Sequence, residues 1–243
     1  MDLLNWVELS LAGVSTAGVA SWAAVSPSAP IFGPVLRHTG SESVIALTFD
    51  DGPNPAFTPA LLDLFDRHGA RASFFMIGRH VRTNPALAAE VAARGHAIGN
   101  HTDTHPNLMW LPPGRIRDEL NRCQDAIFQA TGRQPAWMRP PFGFRGPQLA
   151  PVVRRGGWSG VALWTRILFD WKPQPPEPVI RRLGRAGGGD IVLMHDGHHV
   201  DGNADRSHVV RALEYWMPRW VDAGFSFVTV DDLTVPSQRV VSN

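Results

Sequence analysis

The sequence predicts an α/β fold whose strands run parallel and are covered by helices. Three observations carry this. From residue 44 onward, short apolar runs with no helical period alternate with amphipathic stretches. Each run is apolar throughout rather than at every second position, the pattern of a strand buried on both faces. The polar residues with catalytic chemistry fall at the ends of these runs. Such alternation is met by a barrel and by an open doubly wound sheet alike.

The elements follow in order. Val44–Asp50 is the first strand. Thr58-Pro59 reads as a helix N-cap and first-turn proline, and Gly69 closes that helix. Ala72–Ile77 is a second strand. Asn84-Pro85 caps a helix that Gly95 ends, and His96–Asn100 is a third strand. Ile116, Leu120, Cys123 and Ile127 recur at three- and four-residue spacings, giving an amphipathic helix that stops at Gly132. Trp137–Arg139, Val161–Thr165, Ile191–His195 and Phe225–Val230 complete a set of about seven strands. Val209, Leu213, Trp216 and Trp220 form the apolar face of a helix before the last strand, with Pro218 expected to kink it.

The chain has 243 residues, 44% hydrophobic and 19% charged, with a net charge of +1. That excludes a disordered or fibrous class and offers no basic stripe, so no nucleic-acid partner is expected. Lys172 is the only lysine. Cys123 is the only cysteine, which rules out an intramolecular disulfide and a thiolate metal site; its place on a helix's apolar side makes it a buried small hydrophobe. Residues 9–25 are apolar and small, and 26–34 form a turn-rich linker. Asp2 and Glu8 precede the first base, Arg37, so the segment reads equally as an atypical signal or membrane anchor and as a surface helix. The chain divides into an N-terminal segment 1–41, a catalytic domain 42–233 and a tail 234–243.

Asp50-Asp51 ends the first strand, His101 follows the third, Arg139 the fourth and Asp170 the fifth, while His195-Asp196 ends the sixth region. In parallel α/β folds the C-terminal strand ends share one rim, where sites form. His101 and His105, at i and i+4, could share one face of a helical turn and chelate a metal; alone the pair is a weak signal. Asp50-Asp51-Gly52-Pro53 alone reads as well as a solvated turn. Together they offer two histidines and a carboxylate, a set that leaves coordination positions open for hydrolysis.

These residues resemble the polysaccharide deacetylases of carbohydrate esterase family 4, which share the NodB homology domain. Five motifs match in order: Thr48-Phe-Asp-Asp-Gly-Pro53, His101-Thr-Asp-Thr-His105, Arg139-Pro-Pro-Phe-Gly143, Asp170-Trp171 and Leu193-Met-His-Asp196. The resemblance covers roughly residues 42–233. It implies a distorted, incomplete (β/α) barrel of about seven strands and one divalent metal ion, usually zinc. It implies Asp51, His101 and His105 as metal ligands, Asp50 as general base, His195 as general acid and Arg139 as the arginine that orients the base. Trp171 and Leu193 resemble the acetyl-methyl pocket. Pro140 and Pro141 have no N–H, so Phe142 offers the first backbone donor to an oxyanion after Arg139. The implied reaction is hydrolysis of N-acetyl groups on N-acetylglucosamine-type units of a poly- or oligosaccharide, in a secreted or cell-envelope setting.

One departure stands out. The family's fourth motif carries two aspartates, and Ile167 occupies the first one's place; Asp170 is the acid left to partner His195. Other amides on the same barrel, formyl groups among them, and a silent carbohydrate-binding role are the competing readings. His198, His199, Asp201 and His208 read as a hydrated loop rather than a second metal site. Trp110 is the candidate rim contact for a sugar, and Trp216 and Trp220 read as core. The remaining histidines, His38, His68, His80 and His96, carry no assigned role, though His96 starts a strand.

Overall fold

The computed structural model describes Ser26, Ala29 and residues 31–233. The apolar stretch 9–25 and the tail 234–243 lie outside these residues. No helix among the described residues is long and apolar enough to cross a membrane.

Nine parallel strands form the sheet: β1 (Val35–Leu36), β2 (Val44–Asp50), β3 (Ser73–Met76), β4 (Ala97–Asn100), β5 (Trp137–Met138), β6 (Gly160–Ala162), β7 (Arg166–Ile167), β8 (Ile191–His195) and β9 (Ser226–Phe227). Their order is β1-β6-β5-β4-β3-β2-β8-β7, with β9 pairing the start of β2. Because β1 and β7 are unpaired edges of this path, the barrel is incomplete, in agreement with the expected fold class. The seven expected strands are present. The two additional ones, β1 and β7, are two residues each, too short to show any period. β1 also lies ahead of the residue-42 boundary drawn from sequence.

Helices cover the outside: α1 (Thr58–Arg67), α2 (Gly78–Thr83), α3 (Pro85–Ala93), α4 (Pro113–Thr131), α5 (Leu149–Arg155), α6 (Pro176–Leu183) and α7 (Ser207–Asp222). Alternate residues of β2 face opposite ways. Ile45, Leu47 and Phe49 join the main core beneath the helices, where Phe49 stacks on Phe74 at 5.0 Å and meets Phe65 edge-on at 5.8 Å. Truncating such a buried ring costs about 3–5 kcal/mol. Ala46 belongs to a separate cluster with Leu36, Phe75 and Trp137, inside the barrel. Thr48 and Asp50 continue that inner face toward the rim.

Two local expectations are corrected. Thr58 is not the N-cap of α1; Phe57 holds that position and no side chain caps the helix. The Thr58 hydroxyl is engaged elsewhere, accepting from Asn54 N at 2.9 Å and donating to Asp196 Oδ2 at 2.5 Å. Asn84 does stand at the N-cap of α3, but its side chain makes no cap bond and turns back toward the His80 carbonyl instead. Gly69, Gly95 and Gly132 follow their helices with positive φ, as read from sequence. Helix α7 continues through Pro218, with Trp220 buried and Trp216 donating to the Ile180 carbonyl at 2.8 Å.

Candidate active site

Strand register assembles the site. Asp50, the last residue of β2, is paired with His195, the last of β8. Asn100 at the end of β4 pairs with Met138, so Arg139 leaves the sheet on the same rim. These residues, remote in sequence, meet at one mouth because parallel strands end together.

Arg139 is completely buried. Its Nη1 donates to Asp50 Oδ1 at 2.8 Å and to Thr48 Oγ1 at 2.9 Å, and its Nε and Nη2 donate to the carbonyls of Ala162 and Leu163. Its Cζ lies 4.1 Å from the Phe75 ring centroid. Gly99 makes room for that ring, since a Cβ there would sit 2.2 Å from it. A buried guanidinium is tolerated here because a carboxylate, a hydroxyl and two carbonyls take its protons.

Asp51 follows the end of β2 and turns its carboxylate to His101 and His105. Its backbone is left-handed, at φ 72°. His80 donates from Nδ1 to its carbonyl at 3.0 Å, and Gly197 packs against the same carbonyl, where a Cβ would lie at 2.1 Å. The Asp51 carboxylate Oδ1 lies 3.5 Å from His101 Nε2 and 3.3 Å from His105 Nε2. The two histidines are not on a helical turn, as the spacing suggested. They sit in an irregular loop with φ 67° at Thr102 and 63° at His105. Positive φ at non-glycine residues stores strain and persists where surroundings impose it. Here the imposing group is Glu119, buried on α4, which accepts from the backbone N–H of Asp103 and of Thr104 and is paired with Arg122.

The three side chains fit a divalent ion. One donor atom from each lies within 4.8 Å of the others, and among the described residues this is the group that does so. Asp51 Oδ1 is buried and makes no hydrogen bond among the described residues, and it faces the two imidazole Nε2 atoms instead. His101 donates from Nδ1 to the Arg139 carbonyl at 2.8 Å, which leaves Nε2 as a lone-pair donor. Burial pushes His105 down to about 3, so its ring is the neutral form that binds metals. Burial works against ionised Asp51, but the adjacent imidazoles outweigh it and hold the carboxyl well below its usual range.

His195 stands across the mouth. Asp170 Oδ1 is 3.0 Å from its Nδ1, and Asp170 Oδ2 accepts its backbone N–H at 2.8 Å. Burial opposes the imidazolium, but the Asp170 charge and hydrogen bond, with Asp51 and Asp50 beyond, carry His195 up to about 9. Asp170 is itself completely buried, and its carbonyl is met by His208 Nε2 at 2.9 Å.

A cavity of about 390 Å³ opens over these groups. Of the residues singled out from sequence, Asp50, Asp51, His101, His105 and His195 line it, as do Phe142, Trp171 and Leu193. Arg139 and Asp170 stand behind its wall. Phe142 adopts φ 61°, ψ 2° and meets His105 edge-on at 4.7 Å. The neighbouring N–H of Gly143 is spent on Pro140 O at 2.9 Å. Trp110 is exposed but does not line the cavity.

Sequence reasoning missed several contributors. His198 and His199, read as loop residues, line the cavity, and His199 stacks on His105 at 4.5 Å. Ile167 and Lys172 line it as well. His80 and Glu119 support the site without entering it, and no spacing marks them; Thr48, which opens the first motif, supports it through Arg139. Cys123 is buried as expected, with its thiol toward the Met76 carbonyl.

The sequence profile of the family described as polysaccharide deacetylase matches residues 37–161. The chain belongs to the polysaccharide deacetylase family. It is 36% identical over 195 residues to a peptidoglycan-N-acetylglucosamine deacetylase of Bacillus cereus, covering 79% of this chain and 89% of that protein. It is 34% identical over 204 residues to a chitooligosaccharide deacetylase of Azorhizobium caulinodans, covering 81% and 97%. Among solved structures, the peptidoglycan N-acetylglucosamine deacetylase Bc1960 matches with a TM-score of 0.75 at 28% identity, over 88% of this chain and 99% of that one. A family 4 pseudoenzyme of Bacillus anthracis matches with a TM-score of 0.73 at 27% identity, over 83% and 68%. Family membership therefore leaves activity to be argued from the residues themselves.

Proposed function

We propose that this chain hydrolyses the N-acetyl group of N-acetylglucosamine-type units in an envelope glycan, releasing acetate. The observation that carries the reading is the convergence of Asp51, His101 and His105 beside an arginine-held Asp50 and an aspartate-held His195, all on one cavity. A silent binding protein has no use for a complete set of base, acid and ligands.

Asp51, His101 and His105 would hold the divalent ion, and two imidazoles with one carboxylate suit zinc. When bound, such an ion supplies Lewis acidity toward a carbonyl oxygen and toward water. Arg139 fixes Asp50 through Oδ1 and leaves Oδ2 to take the proton of the attacking water. The Phe142 N–H is the donor for the developing oxyanion, since its neighbours on either side have none to give. His195 gives a proton from Nε2 to the leaving amine while Asp170 holds Nδ1. Trp171 and Leu193 receive the acetyl methyl. The amide C–N bond breaks, water supplies the acetate oxygen, and the amine leaves protonated. We place the catalytic domain at residues 42–233 with β1 added at its edge, and the protein in the cell envelope or outside it.

The test is acetate release from N-acetylglucosamine oligomers and from peptidoglycan by protein stripped with chelator and then reloaded with zinc. Release that returns with zinc supports the reading. No release from any N-acetylated glycan at full metal occupancy would overturn it.

A further inference from the structure

A second cleft lies against the active-site cavity. It has a volume of about 250 Å³, and Ile167 lines both. Three guanidinium groups surround it: Arg166 on β7, Arg182 on α6 and Arg185 just beyond. Among the described residues one carboxylate pairs with them, Asp190, which meets Arg166 at 3.0 Å. Arg182 uses Nη1 on the Leu168 carbonyl and on Gln174. Arg185 is exposed; its backbone N–H donates to the Arg182 carbonyl at 3.1 Å, and its side chain makes no hydrogen bond or ion pair among the described residues. Lys172, the only lysine of the chain, lines the adjoining active-site cavity.

The remaining wall is Phe169. It is 51% exposed yet held at φ 55°, with its carbonyl fixed by Gln174 Nε2 at 2.7 Å. Its ring lies 5.4 Å from Trp171 and 5.7 Å from the Arg182 Cζ. Half-exposed and in a costly backbone conformation, the ring leaves a face open beside Arg185, whose side chain has no carboxylate partner among the described residues. It is the pairing that holds a sugar: an apolar face for the ring and guanidinium groups for an acid on it. Ile167 completes the arrangement. Where the family carries an aspartate, this chain places an uncharged side chain on the wall the two cavities share, so no carboxylate from that position opposes an anion there.

We propose that this cleft is a subsite for a carboxylate-bearing saccharide next to the N-acetylated sugar, so that the substrate is an anionic glycan rather than a neutral chitin-like one. The proposal rests on the deacetylase reading and narrows its substrate. The carboxylate could belong to an acid ether on the sugar or to an attached peptide; the chemistry at the cleft is the same.

The experiment compares kcat/KM for acetate release by the zinc-loaded protein on four glycans. These are a glycan containing N-acetylmuramic acid, the same glycan with peptides trimmed and sugar carboxyls reduced to alcohols in separate arms, and an N-acetylglucosamine tetramer. Wild type, Arg185→Glu and Arg185→Lys are measured on each. The wild type should prefer the anionic glycan. Arg185→Glu should lower the anionic-to-neutral ratio about tenfold, through KM, with Arg185→Lys between, and added salt should lower the ratio too. The arm that removes the preference identifies the carboxylate. An unchanged ratio in Arg185→Glu would overturn the subsite. If no glycan yields acetate, the deacetylase reading is at fault, and equilibrium binding of soluble anionic and neutral fragments decides the subsite. Equal binding of the two by wild type would overturn it.

Discussion

Asp170 grips His195 at two points, Oδ1 at 3.0 Å from the ring Nδ1 and Oδ2 at 2.8 Å from the backbone nitrogen. The double contact fixes both the ring's tautomer and its place at the rim. It also supplies the acid that the fourth motif lacks at Ile167.

From this relationship, Asp170→Asn should cut kcat by about 10²-fold or more and move the basic limb of the pH profile downward. The sign follows from the charge. Asp170 raises His195 to about 9, which keeps the proton-donating form dominant at neutral pH. Without the carboxylate, the donating form is lost at lower pH. A pH–rate profile of kcat checks this; an unmoved basic limb would count against the acid role.

Asp50 and Asp51 are adjacent but should fail differently. Asp51→Asn, or alanine at His101 or His105, should reduce bound metal measured by atomic absorption. Asp50→Asn should keep the metal and lose about 10²–10⁴-fold in kcat, because its carboxylate is paired with Arg139 and stands outside the ligand group. Metal loss in Asp50→Asn equal to that in Asp51→Asn would merge the two roles.

His80 would act on the proposed metal site through the backbone. Its Nδ1 fixes the carbonyl of Asp51, which has φ 72° and is one of the three proposed ligands. His80→Ala should weaken zinc binding about tenfold in a competition with a chromogenic chelator. His80→Asn, which keeps a donor near the Nδ1 position, should restore most of it.

His96 gives the fold an acid-sensitive point remote from the site. It is buried between Phe65 and Phe74, and its Nδ1 accepts the Ala72 N–H at 3.1 Å. Burial pushes it down to about 4. Below pH 6.5 the unfolded chain takes up a proton that the folded one refuses, so stability falls as pH drops toward 4, by on the order of 2–3 kcal/mol. Urea midpoints of wild type at pH 7 and pH 4.5 should differ more than those of His96→Asn.

The strands of the barrel and most of the rim were legible because each strand is an apolar run ending in a reactive residue. What the runs could not show is which face looks inward. Every position of Val44–Phe49 but Thr48 is apolar, and only the paired structure puts Thr48 beneath Arg139. The Asp51, His101 and His105 group was legible by motif, but the loop geometry was not: His101 and His105 meet in a loop with left-handed backbone at Thr102 and His105, whose Asp103 and Thr104 N–H groups Glu119 accepts from a helix the motif does not include. His198 and His199 were unreadable for a related reason. A loop's path over a cavity depends on anchors such as Arg206, which bonds the Gly197 and Trp171 carbonyls, and no local pattern encodes that reach.

The central claim is metal-dependent hydrolysis of an N-acetyl amide, with Asp50 as its base. The most direct measurement is the reaction of zinc-loaded protein with an N-acetylated glycan in ¹⁸O-labelled water, with acetate and free amine quantified together. The account predicts acetate carrying one solvent oxygen, released in equal amount with amine, abolished by chelator and nearly abolished in Asp50→Asn. Acetate formation that survives both treatments, or amine without acetate, would contradict it.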